Sequence, residues 1–155
     1  MTKEQFIEKI NSKLKLIRNE KNYTQDRMAE IIGISKKTLV QIEKGRASLG
    51  WSGAIVVCFL FKDSEILKMT VGNDIEDMLI SLAFGKSERN YSKTMGGKIW
   101  WRDIKKKSNY KIQQNNISGH YRILDENNQR ICSSFDEDYI NSRLIELSKL
   151  EYTNN

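Results

Sequence analysis

The strongest constraint on the fold is a set of capping and turn residues that divides one stretch of the chain into very short helices. Thr24 can cap one helix, and Gly33 follows it where a left-handed residue is needed to end it. Ser35 can then cap another helix, which runs over about 35–44 and ends at Gly45. The pattern predicts two short helices that are joined by a tight turn.

Three further helices are expected around this pair. A capping box at the N-terminus, followed by apolar residues at helical spacing, predicts a first helix over about Lys3–Asn19. A segment that is apolar nearly all round predicts a buried fourth helix over about Trp51–Phe61. Asn73 and Glu76 can cap a fifth helix. The five helices would form a helical bundle over 1–84.

The pattern changes after this bundle. Residues 85–97 are polar and contain a Gly-Gly pair, which is typical of a linker or a mobile loop. Residues 98–107 could form a short helix, because Trp100 and Ile104 lie four positions apart, or they could form a strand. The Gly-Gly start and the Ser-Asn end favour the helix.

The remainder of the chain predicts a small mixed unit over 98–155. Ser134 and Glu137 have the spacing of a capping box for a final amphipathic helix. Between the two helices lie three strand candidates that turn-prone residues separate: Tyr110–Gln113, His120–Leu124 and Arg130–Ser133. The predicted order of the second unit is αβββα, and the predicted class of the whole chain is α+β.

The charge distribution favours a polyanion as partner. Residues 1–48 carry 11 basic and 6 acidic side chains. This excess of positive charge accounts for most of the formal charge of +6 of the whole chain. A basic surface suits nucleic acid, because each neutralised phosphate releases counterions.

Other features of the sequence argue against metal sites, disulfides and membrane spans. Cys58 and Cys132 lack metal-ligand or disulfide-framework spacing, so we expect buried, reduced thiols and no metal. The longest apolar run, Ala54–Phe61, is far shorter than the roughly 20 residues that a membrane span needs. With no signal-peptide pattern at the N-terminus, we expect a cytoplasmic protein.

The stretch LKLIRNEKNYTQDRMAEIIGISKKTLVQIEKG resembles the Xre/Cro/CI family of bacterial helix-turn-helix regulators. It differs from the family pattern by apolar-for-apolar exchanges only, although the proline that usually follows is missing. The matching positions are Ile17-Arg18, Thr24-Gln25, Met28-Ala29, Ile32-Gly33-Ile34-Ser35, Thr38-Leu39 and Ile42-Glu43-Lys44-Gly45.

The resemblance implies a role for each polar position of this stretch. The residues that would read base edges in the major groove are Lys36, Lys37, Val40 and Gln41. Those that would contact phosphates are Thr24, Gln25, Ser35, Thr38, Lys44 and Arg46. Arg18 and Glu43 match positions that form an internal ion pair. The resemblance thus predicts a sequence-specific transcription regulator that binds an operator or promoter as a homodimer, without a cofactor and without enzymatic activity.

Two features of the second unit leave alternatives open. Segment Lys86–Lys111 holds nine basic and two acidic residues with interleaved aromatics, so it could be a second nucleic-acid surface, although aromatics are more often core. The αβββα order and His120 are similar to HicA-type toxin ribonucleases and to double-stranded-RNA-binding domains, where such a histidine would be catalytic. The alternative function is therefore a toxin–antitoxin component, either an autoregulatory antitoxin or an RNA-directed protein.

Overall fold

The computed structural model describes residues 1–87 and 100–153. Contacts divide the chain into two compact units, one over Thr2–Ile75 and one from Glu76 onward. The first unit is helical, and the second combines an antiparallel sheet with helices. The predicted α+β class is confirmed.

The first unit consists of five helices: α1 (Lys3–Glu20), α2 (Gln25–Ile32), α3 (Lys36–Glu43), α4 (Gly50–Leu60) and α5 (Glu65–Val71). The N-cap residues are those that the sequence predicts for α1, α2 and α3, and the capping box of Thr2 with Gln5 is present. One stripe of α1 lies fully inside and packs against the other helices, namely Phe6, Ile10, Leu14 and Ile17. Burial of these four side chains contributes about 1.5–3 kcal/mol each.

The sequence did not predict helix α5. Ser64 is its N-cap, and its buried hydroxyl accepts the backbone N–H of Leu67 at 3.1 Å. Glu20, at the end of α1, accepts two further N–H groups at the start of α5, those of Glu65 and Ile66. This helix of seven residues is too short to show a periodicity, and part of its capping comes from a residue about 45 positions away.

The second unit contains α6 (Ile75–Phe84), β1 (Lys86–Ser87), β2 (Trp101–Lys107), β3 (Tyr110–Asn115), β4 (Tyr121–Leu124), β5 (Arg130–Ser134) and α7 (Glu137–Thr153). All neighbouring strands are antiparallel, in the order β1-β5-β4-β3-β2. One face of the sheet packs on α7 through a single apolar cluster: Ile112, Ile123, Cys132, Ile140, Leu144 and Leu147.

The predicted short helix over 98–107 is wrong for its described part, and residues 98 and 99 lie outside the described residues. Residues 101–107 form strand β2, which pairs with β3 from Trp101 opposite Asn115 to Lys107 opposite Tyr110. Hydrogen bonds along this ladder override the weak helical spacing of Trp100 and Ile104. A strand therefore stands where a helix was expected. Among the described residues, five strands lie between α6 and α7 instead of the expected helix and three strands.

The helix that was expected as the fifth is α6, and its contacts belong to the second unit from Glu76 onward. The predicted linker over 85–97 begins with β1, whose Lys86 and Ser87 pair with β5. Residues 88–97 of that linker lie outside the described residues.

Candidate nucleic-acid interface

A tight turn fixes the angle between α2 and α3. Gly33 ends α2 with φ of 76°, in the left-handed region that favours glycine, and its N–H bonds to the end of α2. Ile34 donates its N–H to the carbonyl of Ala29 at 3.0 Å. Ser35 then accepts the N–H of Thr38 at 3.0 Å, which starts α3. Every step of the turn therefore has a hydrogen bond that holds α3 in place.

Helix α3 has one buried face and one that is open to solvent. Leu39 and Ile42 are 0% and 2% exposed and pack into the helical unit. Lys36, Lys37 and Thr38 at the start of the helix are exposed. The remaining two predicted base-reading residues, Val40 and Gln41, are half-buried. The helix is thus anchored from beneath while its first turn presents polar side chains.

A buried network joins α1, α2 and the end of α3. Arg18 donates from Nε to Glu43 Oε1 at 2.6 Å and from Nη2 to Glu43 Oε2 at 3.2 Å, so the predicted ion pair is present and bidentate. Arg18 also donates from Nη1 to the carbonyl of Tyr23 at 2.9 Å. The side chains of Arg18 and Glu43 are only 12% and 4% exposed.

The network changes the ionisation of Glu43. Burial raises the pKa of this carboxyl, but hydrogen bonds from Arg18 and Gln25, together with the positive charge of Arg18, outweigh burial and lower it below its ordinary value. Glu43 is therefore an anion whose charge is paired with that of Arg18, and it links α1, α2 and α3.

Gln25 takes part in this network, which the sequence did not indicate. Its Nε2 donates to Glu43 Oε2 at 2.9 Å. Because a primary amide carries two N–H donors, one of them remains for the phosphate contact that the resemblance implies. Glu43 therefore orients the amide of Gln25 at the start of α2, where the helix dipole also favours an anion.

The residues of the cap and loop positions are exposed. Thr24 caps α2 by accepting the N–H of Arg27 at 3.1 Å, and the hydroxyls of Ser35 and Thr38 lie 2.8 Å apart. Thr24, Ser35 and Thr38 are all open to solvent, as are the two cations at the end of α3, Lys44 and Arg46. The structure brings these predicted phosphate contacts onto the same unit as the exposed start of α3.

An ion pair within the exposed surface was also missed by the sequence-based reasoning. Lys36 Nζ lies 2.6 Å from Asp26 Oδ2, and both side chains are more than half exposed. Asp26 stands in the first turn of α2, where an acidic residue is normal for the helix dipole alone. The sequence therefore gave no separate signal for this pair, which engages one of the predicted base-reading residues.

The loop after α3 is held by hydrogen bonds to α3 and α1. Arg46 donates its N–H to the carbonyl of Gln41 at 2.8 Å, which closes the end of α3. Asn11 on α1 makes two hydrogen bonds to the loop. Its Nδ2 donates to Ser48 Oγ at 3.0 Å, and its Oδ1 accepts the backbone N–H of Leu49 at 3.0 Å. A side chain from α1 therefore restrains this loop.

His120, the alternative catalytic residue, is fully buried in the second unit. Its Nε2 lies 3.0 Å from Asp77 Oδ2, and its Nδ1 lies 2.6 Å from Ser118 Oγ. Asp77 also accepts from Ser133 Oγ at 2.6 Å and lies 3.0 Å from Arg130 Nη1. The imidazole is thus held between α6 and the sheet, where it links the two.

Asp77 is the charged centre of this cluster. Burial raises the pKa of the Asp77 carboxyl, but hydrogen bonds from His120 and Ser133 and the positive charge of Arg130 outweigh burial and lower it below its ordinary value. The cluster is a buried polar core in which His120, Ser133 and Arg130 all engage one carboxylate, and such a core favours one arrangement of packed elements.

One aromatic of the basic segment, Trp101, lies in the core of the second unit. Trp101 is 4% exposed, meets the ring of His120 edge-on at 4.9 Å and lies under the guanidinium of Arg122 at 3.7 Å. Lys105, Lys106 and Lys107 on the same strand are exposed. Trp101 is therefore part of the core, as expected, whereas the basic side chains remain on the surface.

Comparison with known proteins identifies one part of the chain. Residues 11–54 match the sequence model of a protein family that is described as a helix-turn-helix domain. No curated protein and no solved structure gives a significant match. The matched segment contains α2, the turn, α3 and the Arg18–Glu43 pair, so the first unit carries a DNA-binding helix-turn-helix domain.

Two other properties concern the described residues alone. None of the helices in the described ranges combines the length and the apolar character that crossing a membrane requires. No group of three or more His, Cys, Asp or Glu side chains within those ranges is arranged to hold a metal ion.

Proposed function

We propose that this protein is a sequence-specific transcription regulator of the Xre/Cro/CI type, acting in the bacterial cytoplasm, that places α3 in the major groove of an operator. The observation that carries the proposal is the geometry of α3, whose buried face is locked by Leu39 and Ile42 while Lys36 and Lys37 stand exposed at its start. A major-groove helix needs both properties, because base contacts require a fixed position and free polar side chains.

The chemistry of the exposed residues suits base edges. Lys37 can donate to guanine O6 and N7, Gln41 can pair with adenine through its amide, and Val40 can contact a thymine methyl group. Lys36 can make the same contact as Lys37 once its ion pair with Asp26 is broken. Each good base contact contributes about 1–3 kcal/mol of discrimination.

Phosphate contacts would set the position of α3 on the duplex. Gln25, oriented by Glu43, stands at the start of α2, where free backbone N–H groups also favour a phosphate. The other residues proposed for phosphates are Thr24, Ser35, Thr38, Lys44 and Arg46. These contacts would orient the domain without selecting a sequence.

We further propose that the protein binds as a homodimer. Helix α3 has eight residues. At about 1.5 Å per residue and about 3.4 Å per base pair, it spans only about three or four base pairs. One such helix discriminates too little, whereas a two-fold pair reads two half-sites about one helical turn apart.

Selection of bound sequences from random DNA duplexes tests the proposal on the full chain. The wild-type protein should enrich a palindrome, and the variant Lys36→Ala/Lys37→Ala/Gln41→Ala should enrich none. A matched control removes two exposed lysines and one exposed amide elsewhere on the unit, as Lys9→Ala/Lys62→Ala/Asn19→Ala, and should enrich the wild-type site. Enrichment of the same site by the first variant would refute the docking of α3.

RNA cleavage by His120 receives no support from its surroundings. A general base must come within hydrogen-bond reach of its substrate, and this imidazole is 0% exposed with both nitrogens engaged by Asp77 and Ser118. We assign His120 to the packing of the second unit.

A further inference from the structure

We propose that the β2–β3 hairpin of the second unit is a second DNA contact, in which Lys105 and Lys107 bind phosphates that flank the operator. The inference rests on the proposed DNA binding by α3 and adds a surface that lies outside the helix-turn-helix segment. Strands β2 and β3 together carry five basic residues and one acidic residue.

The hairpin lysines are exposed and have no carboxylate partner among the described residues. Within the part of the chain that the structure describes, none of Lys105, Lys106 and Lys107 forms an ion pair. Five exposed or half-exposed cations elsewhere are neutralised by a carboxylate: Lys21, Arg27, Lys36, Lys68 and Arg143. The positive charge of the hairpin therefore remains available to an external anion.

The register of the hairpin sorts its lysines onto two faces. Lys105 lies opposite Ile112, and Lys107 lies opposite Tyr110. Because residues directly opposite each other point to the same side of a sheet, these two lysines share the face that bears the apolar cluster. They stand about 6.7 Å apart along the strand, since each residue advances it by about 3.3–3.4 Å. Such a row can follow one phosphate backbone.

Lys106 points to the other face, where acidic groups are present. It lies opposite Lys111, and both line a cavity of about 180 Å³ with Asp125 and Glu126 of the turn after β4. Asp125 already accepts the backbone N–H groups of Asn127 and Gln129. Glu126 would repel a phosphate on this side. The geometry therefore assigns the phosphate contacts to Lys105 and Lys107 in preference to Lys106.

The position of β2 in the sheet also suits a polyanion. In the strand order of the described residues β2 is the last strand, next to β3 only. Two-stranded ribbons of this width enter DNA grooves in other DNA-binding folds. Because both units belong to one chain, binding of α3 to DNA raises the effective concentration of phosphates at the hairpin. Each hairpin contact therefore adds to the affinity for DNA even when it is weak.

The salt dependence of binding to a duplex tests the hairpin. The probe is a duplex that carries the selected site with ten additional base pairs on each side, roughly one helical turn. For Lys105→Gln/Lys107→Gln in the full chain, the slope of log K against log salt should fall by about 1.8, because each lost phosphate contact removes about 0.9. The selected sequence should stay the same.

Two controls separate this effect from a general loss of charge. Lys9→Gln/Lys62→Gln removes the same two charges from the exposed surface of the first unit, and Lys106→Gln removes one charge from the other face of the hairpin. Both should change the slope by less than half as much. An equal change in Lys9→Gln/Lys62→Gln, or no change in the hairpin variant, would overturn the inference.

Lysines on an edge strand also prevent strands of different molecules from pairing. The variant Lys105→Glu/Lys107→Glu keeps a charged edge but repels phosphate, so it should remain unaggregated and bind the flanked duplex at least tenfold more weakly than the glutamine variant. Equal binding by the two variants would assign the lysines to edge protection alone. If the wild-type chain itself shows no salt-dependent binding to duplex DNA, the proposed function fails, which is a different outcome from failure of the hairpin.

Discussion

Glu43 at the end of α3 accepts a bidentate hydrogen bond from Arg18 on α1, with the shorter contact at 2.6 Å. The same carboxylate also accepts a hydrogen bond from the amide of Gln25 on α2. One anion therefore couples the supporting helix, the proposed phosphate contact and the proposed recognition helix.

Replacing Glu43 by glutamine should destabilise the first unit. The variant leaves the largely buried Arg18 without its carboxylate, so we expect the free energy of unfolding to fall by roughly 3 kcal/mol. Urea denaturation followed by circular dichroism measures the change. The exposed ion pair between Arg27 and Glu30 offers the control, because Glu30→Gln should change stability by less than about 1 kcal/mol. Equal effects of the two substitutions would contradict the structural role of Glu43.

The same pair predicts the direction of a pH dependence. The pKa of Glu43 is lowered by folding, so its contribution to stability is present above its ordinary value of 4.5 and is lost as pH falls through the lowered value. The stability difference between wild type and Glu43→Gln should therefore shrink on acidification below about pH 4.5. A difference that stays constant down to pH 2 would show that the Glu43 charge is not what stabilises the unit.

Asp26 should weaken binding to DNA. Its carboxylate engages Lys36 at 2.6 Å on the surface that we propose to face the duplex, and it would repel phosphates. We expect Asp26→Asn to bind duplex DNA several-fold more tightly while its stability changes by less than about 1 kcal/mol, because exposed pairs contribute little. Fluorescence anisotropy at fixed salt measures the affinity. Weaker binding by this variant would indicate that Asp26 positions Lys36 for the contact.

Asp77 should be essential to the packing of the second unit. Asp77→Asn removes the charge that faces Arg130 and one of the acceptors for His120 and Ser133, so we expect a loss of roughly 3 kcal/mol. Near-ultraviolet circular dichroism reports on Trp101, which contacts His120. Asp103→Asn, at an exposed site on β2, is the control and should behave as the wild type. A wild-type melting curve for Asp77→Asn would rule out the packing role.

The thiol of Cys58 should be inert in the folded protein. It is 0% exposed, and burial raises its pKa to about 12. Because the thiolate is the reactive species, iodoacetamide at pH 8 should modify Cys58 only in denaturant. Mass spectrometry of peptides from native and urea-treated samples measures this. Rapid labelling of Cys58 without denaturant would mean that α4 opens readily.

Local signals in the sequence were sufficient for the helix-turn-helix segment. Thr24, Gly33 and Ser35 each act within one turn of the helix that they begin or end, so the residue types themselves specify α2 and α3. The Arg18–Glu43 pair came from the family resemblance. The roles of the base-reading and phosphate-binding residues remain predictions.

The sheet and the polar contacts of the site depended on the whole fold. Strand β2 has a single buried residue, Trp101, so it shows no alternation of apolar and polar positions and is defined by its pairing with β3. Asp77 and His120 are separated by 43 positions, and Gln25 and Glu43 by 18. The sequence by itself determined where the short helices begin and end, because capping is local. Only the tertiary structure decided which distant side chains meet, because hydrogen bonds between separate elements form once packing has brought those elements together.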